Sequence, residues 1–249
     1  MIYYEKYGNE LNPIVIFLHG EDSVYCFTKQ CDFLSKNYCA VVPHLPGFGR
    51  SGERMFSADE AVNQVTELAE SFGKPVTLVG YALGAAVALP LMCRHGELFN
   101  GCVMVSPWLI KETADIEKAL NKLNDREKTM KNKFLSGINS LAMGLDKDER
   151  RDYGEFCKNV DINSLAAAVD NGIKLEDYPE FAEIDKPILV LCGLKESMEV
   201  RKTARTLSIQ NPNCSYDMWD GVTKNLPLKA AARFNKVLEE FIDKAHNKK

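Results

Sequence analysis

The segment Gly80-Tyr81-Ala82-Leu83-Gly84 separates an apolar run from a helical pattern. Glycines two residues before and after a central position permit the sharp strand-to-helix turn on which a nucleophile can be displayed. The central residue here is Ala82, whose methyl group carries no nucleophilic atom. Taken alone, the spacing is equally compatible with a glycine-rich turn that has no special role.

Four other segments accompany this turn. They are His19-Gly20 after an apolar run, His44–Ser51 (HLPGFGRS) after the next run, Pro187–Glu196 and Trp219–Pro227. In their order along the chain, these segments resemble the α/β-hydrolase superfamily, in which the second stretch usually reads D-x-P-G-x-G-x-S. The resemblance covers nearly the whole chain outside a charged central segment. It implies an α/β-hydrolase fold with a pocket at the turn.

The resemblance also assigns roles to individual residues. It implies that the backbone donors of an oxyanion hole come from Gly20 and Glu21 on one side and from Leu83 on the other. Ala82 then occupies the nucleophile position, Glu196 the position of the triad acid, and Lys224 the position of the triad histidine. Tyr81 and Trp108 are expected to form apolar or aromatic walls of the pocket.

The departures from the family pattern affect the chemistry. A serine hydrolase needs an oxygen nucleophile, a base that removes its proton, and an acid that orients the base. Loss of the serine or the histidine alone typically lowers the rate about a millionfold. None of the four histidines, His19, His44, His95 and His246, is an obvious replacement base. We therefore predict a pseudoenzyme that binds a small acyl or ester-like ligand without serine-hydrolase activity.

Several alternatives remain open at the level of sequence. Lys224 and Glu196 could form an ion pair that fills the vacated triad space. The same two residues could instead transfer protons in a lyase or isomerase. In a third alternative, Lys224 points to solvent. Ala82 could also be a substituted nucleophile in an esterase-like hydrolase. His19, His44 and Glu21 could hold a metal ion, although their spacing is a weak indication and no metal site is predicted.

Apolar runs alternate with helical patterns along most of the chain. The runs Ile14–Leu18, Ala40–Val42, Val76–Val79, Cys102–Val105, Ile188–Cys192 and Ser215–Trp219 predict strands. Helices are predicted over Tyr25–Lys36, Ser57–Phe72, Gly84–His95, Val200–Ile209 and Leu228–Ala245, with Ser57 and Glu60 in capping-box spacing. This alternation predicts an α/β fold with a mostly parallel central sheet and helices on both faces.

The alternation stops between two of the predicted strands. From Lys111 to Glu155, 20 of 45 residues are charged, ten of each sign, which indicates solvated amphipathic helices. We predict an α/β core formed by residues 1–108 and 185–249 and a helical cap insertion at residues 109–184. Such a cap could form a lid over the ligand site, or it could be a helical decoration without contact to the site.

Composition narrows the partners and the compartment. The net charge of −4 gives no basic surplus for nucleic-acid binding. The charge-free segment from Pro75 to Cys93 reads as a buried strand and helix rather than a membrane span, so no membrane partner is expected. Eight cysteines without a CxxC spacing and the lack of a secretory signal favour reduced thiols in a cytoplasmic protein.

No cofactor is predicted. The match Gly47-x-Gly49-x-x-Gly52 to a dinucleotide fingerprint lacks the required strand and helix context, and no phosphate-binding loop motif occurs. The expected partner is a small-molecule ligand or substrate. The sequence leaves its identity and the oligomeric state undetermined.

Overall fold

A computed structural model describes residues 2–223 and 225–247 of the chain. Its sheet has seven strands: β1 (Tyr4–Tyr7), β2 (Ile14–Leu18), β3 (Cys39–Pro43), β4 (Val76–Tyr81), β5 (Phe99–Val105), β6 (Ile188–Gly193) and β7 (Cys214–Trp219). Their order across the sheet is β1-β3-β2-β4-β5-β6-β7. Every neighbouring pair is parallel except β1 with β3. The predicted fold class, a mostly parallel sheet flanked by helices, is confirmed.

The sheet contains all six predicted strands and one strand that the prediction missed. The apolar runs work as strand signals because β2, β3 and β4 are buried along their whole length. Strand β1 is short and half-exposed at the sheet edge, and it carries Glu5 and Lys6. A charged strand of four residues gives no apolar run, so its pairing with β3 could not be read from the sequence.

Eleven α-helices are present in the described part of the chain. They are α1 (Thr28–Leu34), α2 (Ala58–Ser71), α3 (Leu83–Arg94), α4 (Thr113–Leu120), α5 (Leu123–Lys131), α6 (Lys133–Ala142), α7 (Lys147–Asn159), α8 (Ile162–Val169), α9 (Met198–Gln210), α10 (Leu226–Lys229) and α11 (Ala231–Asn247). The Ser57 side chain caps α2 by accepting a hydrogen bond from the Glu60 N–H, as predicted, whereas the Glu60 carboxylate accepts from Arg54 and Gln64. The single helix expected near the C-terminus is instead divided into α10 and α11 at Ala230.

Two apolar layers lie on opposite faces of the sheet. Ile14, Ile16 and Leu18 of β2 pack in one cluster with α2, α3 and α9, whereas Val15 and Phe17 pack in a second cluster with α1 and α11. This division follows from the alternation of side chains along a strand. Helices α4–α8, which we call the inserted helices, lie between β5 and β6 in the chain, and all of them except α6 contribute apolar side chains to the first cluster.

The segment from Pro75 to Cys93 forms strand β4 and helix α3. Within residues 2–223 and 225–247, no helix is long and apolar enough to cross a bilayer. All eight cysteines are free; seven are buried and Cys93 is half-buried. Burial raises the pKa of the Cys26 and Cys192 thiols to about 12.

Helix α3 begins in direct contact with the sheet. A Cβ atom at Gly84 would overlap the backbone carbonyl of Leu18, and one at Gly80 would overlap the backbone of Gly84. Both neighbours are main-chain atoms held in the sheet or the helix, so they cannot move aside as a flexible side chain would. The two glycines are therefore required by the packing of α3 on β2 and β4.

Gly84→Ala is expected to lower the free energy of unfolding by about 1–3 kcal/mol through this overlap. Gly154→Ala in α7 is the matched control, because an added Cβ there meets nothing within 4 Å. The control should instead raise the free energy of unfolding by up to about 1 kcal/mol through helix propensity. Urea titrations measure both; equal stabilities of the two variants would show that the contact at Gly84 is not restrictive.

Candidate ligand-binding site

The turn between β4 and α3 has the geometry that its glycines predicted. Ala82, the one residue between the two elements, has φ 49° and ψ −106°, a conformation that non-glycine residues rarely adopt. Its N–H donates to the Val105 carbonyl on the neighbouring strand, and this bond ties the turn to the end of β5. A strained backbone of this kind typically costs about 1–3 kcal/mol and persists only where the surrounding structure enforces it.

A cavity of about 570 Å³ opens above this turn. Tyr81, Ala82 and Leu83 form part of its wall, and helices α4, α5, α8 and α9 contribute other parts. Among the residues with predicted site roles, the structure places Glu21, Tyr81, Ala82, Leu83, Trp108 and Glu196 along this one cavity. Residues separated by up to 175 positions in the sequence thus converge on a single space.

Gly20 does not line the cavity but lies directly behind its wall. A Cβ atom at Gly20 would come within 2.8 Å of the Tyr81 ring and 3.4 Å of the Ala82 Cβ. The absence of a side chain at Gly20 thus allows the backbone that follows β2 to approach the turn closely. The N–H of Leu83 belongs to the first turn of α3, where backbone donors lack intrahelical partners.

Glu196 is buried at the carboxyl end of β6. Its Oε1 accepts hydrogen bonds from the Ser106 hydroxyl at 2.8 Å and from the Gly193 N–H at 2.7 Å. Ser106 follows β5 with φ 52°, a second strained position at the carboxyl edge of the sheet. The carboxylate is therefore fixed in place by donors from two neighbouring strand ends. Ser106 lines the cavity and was not among the residues predicted for the site.

The loop between β7 and α10 reaches the same region. The Asn225 N–H donates to the Tyr81 hydroxyl at 3.0 Å, next to the turn. A Cβ atom at Gly193 would overlap the Val222 carbonyl, so this loop also packs against the end of β6. Lys224, the predicted occupant of the base position, lies outside the described residues.

The two histidines proposed as alternative ligands have structural roles. The Nε2 of His19 accepts from the Leu45 N–H at 2.9 Å, so its Nδ1 carries the proton and donates to the Gly20 carbonyl at 2.8 Å. Burial lowers the pKa of His19 to about 3 and keeps the ring neutral. The Nδ1 of His44 accepts from the Arg50 N–H at 2.9 Å. Within the described parts of the chain, no group of three or more His, Cys, Asp or Glu side chains is arranged to hold a metal ion.

Arg126 connects the inserted helices to the predicted oxyanion turn. This residue of α5 forms ion pairs with Asp22 and, at 3.2 Å, with Glu21. The two carboxylates raise the pKa of the guanidinium and outweigh the opposing effect of its burial. The arginine thus neutralises acidic charge at the cavity wall and holds α5 against the loop after β2.

Lys111 places a cation inside the cavity. Its Nζ donates to Asn171 Oδ1 at 2.9 Å and to the Val169 carbonyl at 3.4 Å, and it lies 5.1 Å from the centre of the Trp108 ring. Burial lowers the pKa of Lys111 to about 8, although Glu21 and Asp170 act in the opposite direction. The Trp108 indole N–H is buried and has no acceptor among the described residues.

Nothing in the sequence indicated these roles for Lys111 and Arg126. Both belong to a segment with ten cations, of which four line the cavity, and no spacing distinguishes these four from the other six. Their environment depends on partners supplied by other elements: Asn171 for Lys111, and Glu21 and Asp22 for Arg126.

The described part of the cavity lining contains two serines and no histidine or cysteine. The Ser106 hydroxyl donates to Glu196, and the Ser197 hydroxyl accepts a hydrogen bond from the Val200 N–H. What the lining offers is apolar surface from Leu83, Ala86 and Val169, together with hydrogen-bond donors and the ammonium of Lys111. This combination is suited to binding and orienting a small molecule.

A family model described as the alpha/beta hydrolase family matches residues 15–236. A Mycoplasma pneumoniae protein that carries the name esterase/lipase 2 is 26% identical, and the match covers 92% of this chain and 88% of that protein. The biotin biosynthesis bifunctional protein BioHC of Teredinibacter turnerae is 22% identical. That match covers 78% of this chain but only 38% of the longer bifunctional protein.

The structure of MenH from S. aureus superimposes with a TM-score of 0.77 and covers 99% of this chain and 100% of that one. The sequence identity is 19%, so this likeness establishes a shared fold and no shared activity.

The titration of Lys111 is expected to be visible in stability measurements. Because its pKa of about 8 in the folded protein is below the usual 10.5, the folded state releases this proton first as pH rises. As pH rises through this pKa, the free energy of unfolding of the native protein therefore increases relative to that of a Lys111→Met variant. Between about pH 7 and about pH 10 the difference in free energy of unfolding should shift by about 2 kcal/mol in favour of the native protein.

Urea titrations at the two pH values measure this shift. Lys118→Met on α4 is the control, because Lys118 is exposed at the cavity rim and its ammonium keeps its water. A difference between native protein and Lys111→Met that does not change with pH would mean that the ammonium is not buried.

Proposed function

Because the chain belongs to the alpha/beta hydrolase family, we propose that it uses the family's cavity to bind a small acyl or ester-like molecule without hydrolysing it. The observation that carries this proposal is Ala82, which occupies the strained turn with φ 49° yet has no atom that could attack an ester. The turn therefore keeps the geometry of a reacting centre in the absence of the reacting group.

The groups that are missing have a large effect on the rate of a serine hydrolase. Removal of the serine or the histidine of a serine triad typically costs about a factor of a million in rate. Here the nucleophile position holds Ala82, and the base position holds Lys224 in the sequence. An ammonium that carries its proton cannot accept another from a hydroxyl, so a restored serine alone would still lack a base.

The cavity walls support the choice of ligand class. Leu83, Ala86 and Val169 offer apolar surface for an acyl chain or another small apolar group. We propose that the ligand's carbonyl oxygen accepts from the backbone N–H groups of Leu83 and Glu21, two residues that line the cavity. The buried indole N–H of Trp108 is a further donor that lacks an acceptor among the described residues.

A binding experiment tests the use of the cavity directly. Isothermal titration calorimetry with p-nitrophenyl butyrate should give saturable binding, with no release of nitrophenolate above the rate in buffer. Ala119→Trp is expected to weaken binding at least about tenfold, because Ala119 lines the cavity from α4 and an indole would fill it.

Ala114→Trp on the same helix is the matched control, because Ala114 is exposed and does not line the cavity. This variant should bind as the native protein does. Equal affinity of the two tryptophan variants would place the ligand elsewhere, and enzyme-like turnover of the ester by the native protein would refute the proposal.

A restoration experiment tests the loss of chemistry. The double variant Ala82→Ser with Lys224→His should hydrolyse p-nitrophenyl butyrate at least about a hundredfold faster than the native protein, because nucleophile and base return beside Glu196. The single variant Ala82→Ser should remain close to the native rate, since it has no base. A gain in the single variant equal to that in the double would contradict the assignment of position 224 as the base position.

A further inference from the structure

Helix α6 exposes its apolar residues and buries its small polar residues. Phe134, Leu135, Ile138 and Leu141 are 74%, 40%, 47% and 60% exposed, whereas Ser136 and Ser140 are buried. An amphipathic surface helix ordinarily has the opposite orientation, with its apolar stripe toward the core. The four exposed side chains, which we call the α6 apolar face, lie within one helix of ten residues.

The buried serines are satisfied without any partner from the core. Ser136 Oγ donates to the Lys133 carbonyl, and Ser140 Oγ donates to the Gly137 carbonyl, both within α6 itself. Their small size allows α6 to lie close to the neighbouring inserted helices. The outward orientation of the α6 apolar face is therefore compatible with complete hydrogen bonding on the inner side.

Basic side chains surround the α6 apolar face. Phe134, Ile138 and Leu141 line a groove of about 710 Å³ together with six basic residues and one acidic residue, Glu155. The basic residues are Lys131, Lys133, Lys147, Arg150, Arg151 and Lys158. In the described part of the chain, Lys133, Lys147 and Arg150 form no ion pair, whereas the other three do. The groove thus has a local positive charge on a protein whose net charge is −4.

We infer that this face of the inserted helices docks on the surface of an anionic lipid bilayer. Exposed Phe, Leu and Ile side chains flanked by Lys and Arg are the features with which a helix lies in the interfacial region of a membrane. The three cations without ion pairs would lie against anionic headgroups. The absence of a spanning helix in the described residues concerns insertion across a bilayer and does not bear on this mode of attachment.

Other occupants fit the face less well. A second copy bound through the same patch would bring two grooves of like positive charge together, which is repulsive. A folded partner protein would have to match both the groove and the exposed Phe134 and Leu141 side chains, whereas lipid chains adapt to an uneven surface.

Vesicle flotation tests the inference. The native protein should bind vesicles of phosphatidylcholine and phosphatidylglycerol in equal amounts, and should bind pure phosphatidylcholine vesicles at least about tenfold less. The double variant Phe134→Asn with Leu141→Asn should lose at least about tenfold in binding to the anionic vesicles. The triple variant Lys133→Gln, Lys147→Gln and Arg150→Gln should lose the preference for anionic lipid.

The control is Leu11→Asn with Ile209→Asn, since Leu11 and Ile209 are 87% and 82% exposed and lie outside α6. This variant should bind anionic vesicles as the native protein does. Absence of native binding, or an equal loss in the control, would overturn the inference. A native dimer in sedimentation that the Phe134/Leu141 variant dissociates would assign the face to a second copy instead. None of these outcomes depends on the cavity or its ligand.

Discussion

The close approach of helix α3 to the sheet is the constraint on which the site depends. Gly84 lies against the Leu18 carbonyl, and Gly80 lies against the backbone of Gly84. Because β4 ends at Tyr81 and α3 begins at Leu83, Ala82 alone connects the strand to the helix. It makes this turn with a positive φ of 49°. The same approach places the start of α3 and the end of β2 beside each other, and the inserted helices complete a cavity around them. The close contacts at Gly80 and Gly84 involve backbone atoms and not the side chain of residue 82. The strained conformation of the turn therefore follows from the packing of α3, whichever residue stands at position 82.

The charges around the cavity are arranged in three ways. Arg126 is paired with Glu21 and Asp22 and joins an inserted helix to the loop after β2. Lys111 has neutral partners instead, and burial lowers its pKa to about 8. A paired cation of the first kind fixes the position of an element, whereas a cation held by neutral groups keeps its charge available for a ligand. The triad acid position has a third arrangement, because Glu196 is held by hydrogen-bond donors from Ser106 and Gly193.

The sequence was informative wherever a feature depends on neighbours in the chain. Runs such as Ile14–Leu18 predicted buried strands, and the glycine spacing around Ala82 predicted the turn, because periodicity and backbone freedom are local properties. Strand β1 was missed because its pairing with β3 involves charged residues at a sheet edge. Lys111, Arg126 and Ser106 were missed because each depends on a partner from a distant segment. The orientation of α6 could not be predicted either, since the apolar side of a surface helix ordinarily faces the core, whereas Phe134 is exposed and Ser136 is buried.

We propose that the cavity holds an ester-like ligand beside a turn that has no nucleophile. Intact-mass spectrometry of the native protein after incubation with an acylating β-lactone measures whether a nucleophile in the cavity reacts. We expect no hydroxylamine-labile acyl adduct on any residue that lines the cavity. A single labile adduct on a cavity hydroxyl would show that a nucleophile is active there and would refute the proposal.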